Sequence, residues 1–212
     1  MEQFSFCNFL INFLPLSLAA TFAEESPRLI LQITVDHLGG DLPLRYEERL
    51  GEGDFRYLWE KDTVYTDAHH AHADTETIVS HATLATGAHP ALHGMIGNLW
   101  VHRETGSLTY NIEDPRYPLL TKGAALDRQT EIDPTQKAAG TNGRSPMMAI
   151  LGTTFSDELA IYTGGRAKIF GVLVKDRGAV SMAGPAGKAF WFSKKSGSLQ
   201  SAQHAHRVRG VA

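Results

Sequence analysis

The sequence is nearly free of cysteine. Its 212 residues include one, Cys7, which lies in the N-terminal segment. A single thiol cannot form an internal disulfide, and it cannot build a zinc site from cysteine ligands. Any metal ion that this chain binds must therefore be held by histidine, carboxylate or hydroxyl groups.

The sequence also lacks an excess of positive charge. Its 20 Lys and Arg residues stand against 23 Asp and Glu residues, for a formal net charge of −3. Nucleic-acid-binding domains usually carry a basic surface, so this balance argues against a nucleic-acid partner. The hydrophobic content of 42% and charged content of 20% are typical of a soluble globular protein that can bury a core.

The apolar segment at the N-terminus is too interrupted for a membrane-spanning helix. Residues 9–23 carry no charge, but Asn12 and Pro15 break the run, and a spanning helix needs about 20 apolar residues. Ala23 is the small residue typical of a cleavage site, so we predict a signal peptide at 1–23. Signal peptides usually begin with Lys or Arg, and neither precedes the apolar run here. An uncleaved membrane anchor and a buried N-terminal segment therefore remain alternatives. Export implies a periplasmic or secreted protein with no stable membrane span after cleavage.

Alternating short apolar runs and helical stretches predict an α/β fold. Buried strands are predicted at Leu29–Val35 and Lys168–Val174, and a helix at Thr77–Thr86 that Gly87 ends. Such alternation is typical of a sandwich with a mainly parallel sheet. Further predicted elements are a partly helical stretch at 44–59, a strand at 63–65, a loop at 88–100, a surface excursion at 101–143, a helix from Ser145–Pro146 to about Tyr162, and a strand at 188–192.

Charged and hydroxyl groups lie where α/β sheets bind their ligands. Asp36 follows one predicted strand, and Lys175 and Arg177 follow another; ligands collect beyond the carboxyl ends of strands. Thr77 begins a helix, where free N–H groups and the dipole favour an anion. A metal ligand, a nucleophile and a cationic pair could face one phosphate. Taken singly, each has a plainer explanation: a turn cap, a helix N-cap and solvated charges.

Histidine is concentrated in one part of the sequence, with six of the ten between residues 69 and 93. His70, His72 and Asp74 match the H-x-H-x-D pattern of metallo-β-lactamase-like hydrolases. The next position is Thr75 rather than histidine, and no second histidine set follows at a suitable distance. We therefore interpret these residues as loop histidines that form local hydrogen bonds.

Several motifs in order resemble the alkaline phosphatase superfamily. They are HHAHADTET at 69–77, SHATLATG at 80–87 and HGMIGN at 93–98, followed by KDR at 175–177. The chain is most similar to the single-chain bacterial enzymes with a threonine nucleophile, which are related to nucleotide pyrophosphatases and phosphodiesterases. The likeness extends over residues 29–195, roughly four fifths of the chain. It implies a three-layer α/β sandwich.

The resemblance implies a role for each of five residues. Asp36 would bind one of two zinc ions, and Thr77 would bind the same ion and attack phosphorus, forming a phosphothreonine intermediate. Asn98 would donate a hydrogen bond to a phosphoryl oxygen. Lys175 and Arg177 would contact phosphate oxygens and mark the monoesterase branch. Zinc would lower the pKa of the threonine hydroxyl and so help form the alkoxide.

The family's remaining zinc ligands are missing from this sequence. After Arg177 it contains His204 and His206 but no Asp or Glu. We therefore predict that residues 24–195 are the N-terminal part of an alkaline phosphatase-like catalytic domain, incomplete in this chain. Residues 196–212 are then an atypical or out-of-frame tail, and the chain alone is expected to be inactive.

The leading hypothesis is a zinc-dependent hydrolase of phosphate monoesters that acts on a small-molecule phosphate ester. One alternative is phosphodiesterase, nucleotide pyrophosphatase or sulfatase-like chemistry on the same scaffold. Another is an inactive exported fragment that binds only phosphate or a partner.

Overall fold

A computed structural model describes residues 27–53, 55–120, 129, 131–138 and 150–202. It divides the chain into two units, Met1–Gly40 and Asp41–Ala212. The predicted signal peptide, the predicted helix start at Ser145–Pro146, and His204 and His206 lie outside the described residues.

The described part of the first unit, residues 27–40, contains no helix or strand. The predicted strand Leu29–Val35 is therefore wrong. Leu29, Leu31 and Ile33 are 77%, 72% and 71% exposed. A buried strand needs hydrogen-bonding neighbours and apolar cover, and the described part of this unit contains no strand.

The second unit begins with short helical segments. They are α1 (Leu42–Arg45), a 3-10 helix (Glu47–Arg49) and α2 (Phe55–Lys61), which confirms the predicted partly helical stretch. The predicted strand at 63–65 is wrong, because these residues have no regular secondary structure. Val64 and Tyr65 are exposed and lack the apolar cover that makes a β-branched run a strand.

Helix α3 (Thr77–Thr86) has the predicted bounds. It ends at Gly87, whose φ of 66° is left-handed, a conformation that glycine adopts without a steric penalty. The predicted loop at 88–100 contains a short helix, α4 (Pro90–His93), and leads into strand β1. The buried face of α3 includes Ile78, Val79, Ala82 and Ala85.

The predicted surface excursion begins with a hairpin. Strands β1 (Leu99–Val101) and β2 (Leu108–Tyr110) pair antiparallel, with Leu99 opposite Tyr110. Tyr110 and Ile112 are fully buried, so this part of the excursion belongs to the core. A short helix, α5 (Pro134–Lys137), follows.

Helix α6 (Phe155–Tyr162) begins later than predicted. Its N-cap is Thr154, which forms a reciprocal capping box with Asp157, and residues 150–153 are not helical. The capping box satisfies two helix N–H groups, and this explains the start at Thr154. The predicted stop is confirmed, since Gly164 and Gly165 have φ values of 59° and 78°.

The main described sheet has the order β3-β4-β5. Strands β3 (Phe170–Leu173) and β4 (Lys188–Ser193) are parallel, with α7 (Asp176–Ala183) between them in sequence. The predicted strands at 168–174 and 188–192 are therefore confirmed. Strand β5 (Ser198–Gln200) pairs antiparallel with β4, so part of the predicted atypical tail is built into the sheet.

A close approach brings β3 and α7 together. A Cβ on Gly171 would lie 2.4 Å from the carbonyl oxygen of Ala179 and 3.0 Å from the Cβ of Ala183. Because Gly171 has no side chain, the backbone of β3 packs directly against the backbone of α7. The core that results comprises Ile78, Val79, Ala82, Met95, Tyr110, Ile112, Ile150, Ala179, Val180, Ala183, Ala189, Trp191 and Ala202. Among the described helices, none has the length and apolar character to cross a membrane.

Candidate active site

Thr77 is the first residue of α3 and is only 8% exposed. Its carbonyl oxygen accepts a hydrogen bond of 2.7 Å from His81 Nδ1, one turn further along. The residue before it, Glu76, makes no side-chain cap to the helix. Free N–H groups and the helix dipole give such an N-terminus a positive potential.

Asn98 lies beside the start of α3. Its Oδ1 accepts a hydrogen bond of 3.3 Å from the N–H of Ile78, the residue after Thr77. Its own N–H donates to the carboxylate of Glu76. The carboxamide is thus oriented with its oxygen on the helix, which leaves the Nδ2 amino group as its donor. The fold therefore brings Thr77 and Asn98 together, as the resemblance implies.

The end of strand β2 connects this region to α7. Asn111 Nδ2 donates to the Asn98 carbonyl oxygen at 2.7 Å. The neighbouring residue, Tyr110, donates through its hydroxyl to Asp176 Oδ1, also at 2.7 Å. Asp176 is the first residue of α7 and lies between Lys175 and Arg177. The starts of both helices are therefore held by adjacent residues of one strand end.

The first turn of α7 also contacts α3 directly. A Cβ on Gly178 would lie 3.4 Å from the Cδ2 and Nε2 atoms of His81. His81 is buried, and its Nε2 has no hydrogen-bond partner among the described residues. The first turn of α7 therefore packs against α3 one turn from Thr77.

Lys175 and Arg177 converge on a single carboxylate. Lys175 Nζ lies 2.9 Å from Asp133 Oδ2, and Arg177 NH1 lies 3.4 Å from the same oxygen. Arg177 NH1 also donates to Thr135 Oγ1 at 2.9 Å. The Arg177 side chain is 3% exposed and that of Lys175 is 40% exposed. We call Lys175 and Arg177 the cationic pair.

The charges of this cluster stabilise one another. Burial alone would raise the pKa of Asp133, but hydrogen bonds from Thr135 and Lys175 and the charge of Arg177 hold it well below its ordinary 3.8. Burial alone would lower the pKa of Arg177, but Tyr110, Asp133 and Asp176 outweigh it and raise the pKa. Asp133 and Arg177 therefore both remain charged at neutral pH.

Asp36, the predicted zinc ligand, belongs to the first unit. Its carboxylate lies 3.8 Å from His37 Nε2, and its side chain is 39% exposed. Across the described residues, no group of three or more His, Cys, Asp or Glu side chains could hold a metal ion. Asp36 and Thr77 offer oxygen donors that suit zinc, but this part of the chain does not complete a zinc site.

The histidine-rich loop forms a chain of hydrogen bonds rather than a metal site. His72 Nδ1 lies 2.6 Å from the Asp74 carbonyl oxygen, and His72 Nε2 lies 3.0 Å from Thr83 Oγ1. The same hydroxyl oxygen lies 3.0 Å from His93 Nε2, and the N–H of Met95 donates to His93 Nδ1 at 3.1 Å. Both ring nitrogens of His72 and of His93 are occupied, which confirms for His72 the local hydrogen bonding expected from sequence.

Five further residues of this region were missed by sequence reasoning: Glu76, Tyr110, Asn111, Asp133 and Asp176. Glu76 and Asp176 lie within the quoted motifs but were given no role there, whereas Tyr110, Asn111 and Asp133 lie outside every motif, and two of the pairs join distant parts of the chain. Tyr110 and Asp176 are 66 residues apart, and Asp133 and Lys175 are 42 apart. Sequence patterns involve only nearby residues, so they do not predict contacts between such distant pairs.

The chain resembles proteins of known family in both sequence and structure. Residues 30–168 match the family described as type I phosphodiesterase / nucleotide pyrophosphatase. Alkaline phosphatase PafA of Elizabethkingia meningoseptica is 28% identical over 179 residues, which are 84% of this chain and 30% of the relative. Alkaline phosphatase PhoV of Synechococcus elongatus is 29% identical over 182 residues, again 84% and 30%. This chain thus spans about 30% of the length of these relatives.

The fold agrees with the sequence relationship. The crystal structure of wild-type alkaline phosphatase PafA superposes with a TM-score of 0.67 at 26% identity, covering 81% of this chain and 30% of that one. A variant of the same enzyme, at 24% identity, superposes with a TM-score of 0.68 and supports the fold alone. The predicted α/β alkaline phosphatase-like fold, incomplete in this chain, is confirmed. The chain belongs to the type I phosphodiesterase/nucleotide pyrophosphatase family.

Proposed function

We propose that the complete protein hydrolyses phosphate monoesters of small molecules and that Thr77 is its nucleophile. The observation that carries this proposal is the meeting of two helix starts. Thr77 and Asn98 lie at the start of α3, and the cationic pair flanks the start of α7, joined through Tyr110 and Asn111. A dianionic phosphoryl group is the ligand that suits such a place.

Each residue of the proposed site has one task in the reaction. The Thr77 Oγ atom forms a bond to phosphorus while the bond to the ester oxygen breaks. The threonine proton is lost and the leaving alcohol gains one. Water then cleaves the phosphothreonine and releases phosphate. The Asn98 amino group and the cationic pair stabilise the charge that develops on the equatorial oxygens.

The relatives support this assignment. PafA and PhoV are both named alkaline phosphatases. The PafA variant of known structure carries substitutions of a threonine, an asparagine, a lysine and an arginine. Its threonine and asparagine are 21 positions apart and its lysine and arginine two apart, the same separations as Thr77 to Asn98 and Lys175 to Arg177.

Zinc dependence and export are proposed for the complete protein only. Asp36 and Thr77 are the zinc ligands that this chain would contribute to a centre of two ions. The described residues do not complete such a centre; when bound, zinc would lower the pKa of the Thr77 hydroxyl. Residues 1–23 would direct the protein to the periplasm or the exterior.

Phosphodiester cleavage is the second candidate, because the matching family model is described as type I phosphodiesterase. The cationic pair distinguishes the two. A monoester carries one more negative charge than a diester at the phosphoryl group, so it gains more from two cations. Replacing Lys175 and Arg177 with alanine should therefore reduce monoester cleavage much more than diester cleavage. Equal losses would favour the diesterase.

The nucleophile is tested by Thr77→Ala in the complete protein. We expect kcat/KM for a phosphate monoester to fall by at least about a thousandfold, because the covalent step is lost. Thr86→Ala, at the other end of α3, is the matched control and should retain activity. Retained activity in a folded Thr77→Ala protein would remove Thr77 from this role.

A further inference from the structure

The cationic pair already holds an anion supplied by the chain. We infer that Asp133 is an internal counter-ion of Lys175 and Arg177, which an incoming phosphoryl group must displace, so that Asp133 weakens phosphate binding. The inference rests on the proposed function, in which this pair binds phosphate. It assigns Asp133 the role of a competitor for that site.

The contacts of Asp133 match those that a phosphoryl oxygen would make. Its Oδ2 lies 2.9 Å from Lys175 Nζ and 3.4 Å from Arg177 NH1. Charged N–H donors bind carboxylate and phosphate oxygens with the same geometry. The Arg177 side chain is 3% exposed, and its NH1 donates to Asp133 and Thr135. An anion that binds NH1 therefore competes with these two residues.

The charges around Asp133 explain why its displacement would favour phosphate binding. Lys175 and Arg177 carry two positive charges. Asp133 contacts both, and Asp176, which accepts the backbone N–H of Arg177, adds a second negative charge near Arg177. The cluster is therefore neutral as folded, and it offers a phosphate dianion little net attraction. Once Asp133 leaves, the cluster has a net charge of +1.

Hydrogen bonds hold the Asp133 carboxylate, and a second contact, at Glu131, holds the same segment of the chain. Its Oδ1 accepts hydrogen bonds from the N–H and hydroxyl of Thr135, at 3.0 Å and 2.6 Å. Glu131 Oε1, two residues earlier, accepts from Lys194 Nζ at 3.0 Å. The contact between Glu131 and Lys194 does not involve the cationic pair. It can keep the segment in place when the Asp133 carboxylate is exchanged for phosphate.

A purely positioning role for Asp133 predicts the opposite result. If the carboxylate only oriented Lys175 and Arg177 toward substrate, its loss would loosen both side chains and weaken phosphate binding. A competitor, in contrast, leaves the pair more accessible when it is removed. The direction of the change therefore separates the two roles.

The test is isothermal titration of the 212-residue chain with inorganic phosphate. Asp133→Asn should bind phosphate about tenfold more tightly than the unaltered chain, because it loses a charge-assisted competitor. Glu131→Gln is the matched control, since Glu131 pairs with Lys194 rather than with the cationic pair. The variant removes one negative charge from the same segment and keeps an oxygen that can accept the Asp133 N–H. It should change the affinity by less than about twofold. Equal or weaker binding by Asp133→Asn would overturn the inference.

Two further variants keep the outcomes distinct. If Asp133→Asn does not fold, Thr135→Val replaces it in the test. This variant retains the Asp133 carboxylate but removes a hydroxyl that holds it, so we expect phosphate binding to tighten by a smaller factor. Adding Arg177→Ala to Asp133→Asn should abolish the gain. If Arg177→Ala leaves phosphate affinity unchanged in every background, the proposed phosphate site itself fails. If affinity depends on Arg177 but Asp133→Asn gives no gain, only the counter-ion role fails.

Discussion

The hydroxyl of Tyr110 donates a hydrogen bond of 2.7 Å to Asp176 Oδ1, across 66 residues of sequence. Tyr110 is fully buried and Asp176 is 3% exposed. The same carboxylate oxygen accepts the N–H of Arg177 at 2.8 Å. One buried bond therefore attaches the start of α7, and with it the cationic pair, to the hairpin that holds Asn98.

Tyr110→Phe should lower the free energy of unfolding by about 1–3 kcal/mol, because it removes a donor from a buried carboxylate and leaves the ring in place. Urea denaturation of the 212-residue chain measures this. Tyr162→Phe, at a residue that is 81% exposed, should change stability by less than about 0.5 kcal/mol. Equal effects of the two variants would show that the hydroxyl of Tyr110 contributes nothing.

Gly171→Ala should destabilise the pairing of β3 with α7. The new methyl group would lie 2.4 Å from the Ala179 carbonyl oxygen, so the helix must shift, at a cost of about 1–3 kcal/mol. The control is Gly53→Ala, where a Cβ would meet nothing within 4 Å. Thermal unfolding compares the two. A Gly171→Ala protein as stable as the control would contradict the close packing.

The hydrogen bonds of the histidine loop determine its tautomers. The N–H of Met95 can only donate, so His93 Nδ1 accepts and His93 Nε2 carries the proton. The Asp74 carbonyl can only accept, so His72 carries its proton on Nδ1. Long-range ¹H–¹⁵N spectra should show these two different tautomers. The opposite tautomer at either ring would disprove the chain of bonds.

Thr83 is the residue that joins the two rings. Thr83→Val keeps the shape but removes the hydroxyl, so both Nε2 atoms lose a partner and stability should fall by about 1–3 kcal/mol. Thr83→Ser keeps the hydroxyl and should remain within about 1 kcal/mol of the unaltered chain. Denaturation of the three proteins in parallel measures the difference. A loss that is equal for Val and Ser would assign the effect to packing alone.

Stability should fall as the pH is lowered through the range of histidine. Burial lowers the pKa of His93 below 6.5, and His72 and His89 lower it further, whereas a backbone hydrogen bond raises it. The unfolded chain then binds the proton more readily than the folded chain. The contribution of His93 is complete above the unfolded value and is lost as pH falls toward the folded one.

Melting temperatures at about pH 7.5 and about pH 5.5 measure this dependence. His93→Gln should reduce the difference between the two pH values. His102→Gln, at an exposed residue of the hairpin, should leave it unchanged. An undiminished pH dependence in His93→Gln would place its origin elsewhere in the chain.

Local signals in the sequence were sufficient for several elements. The bounds of α3 follow from its apolar pattern and from Gly87, and strands β3 and β4 follow from two apolar runs. The α/β fold follows from alternating apolar runs and helical stretches and the family from ordered motifs, and the comparisons confirm both. The predicted strand at Leu29–Val35 is wrong, because an apolar run forms a strand only where a neighbouring strand is available.

What the sequence by itself determined is the family, the α/β fold and the identity of the candidate residues, of which Thr77 and Asn98 are found together. Only the tertiary structure decided that Tyr110 holds the start of α7 and that Asp133 contacts both Lys175 and Arg177. Caps and periodic patterns act over a few residues, so they are visible along the chain. Bonds across 42 and 66 residues depend on which surfaces pack together, and that information appears only once the core has formed.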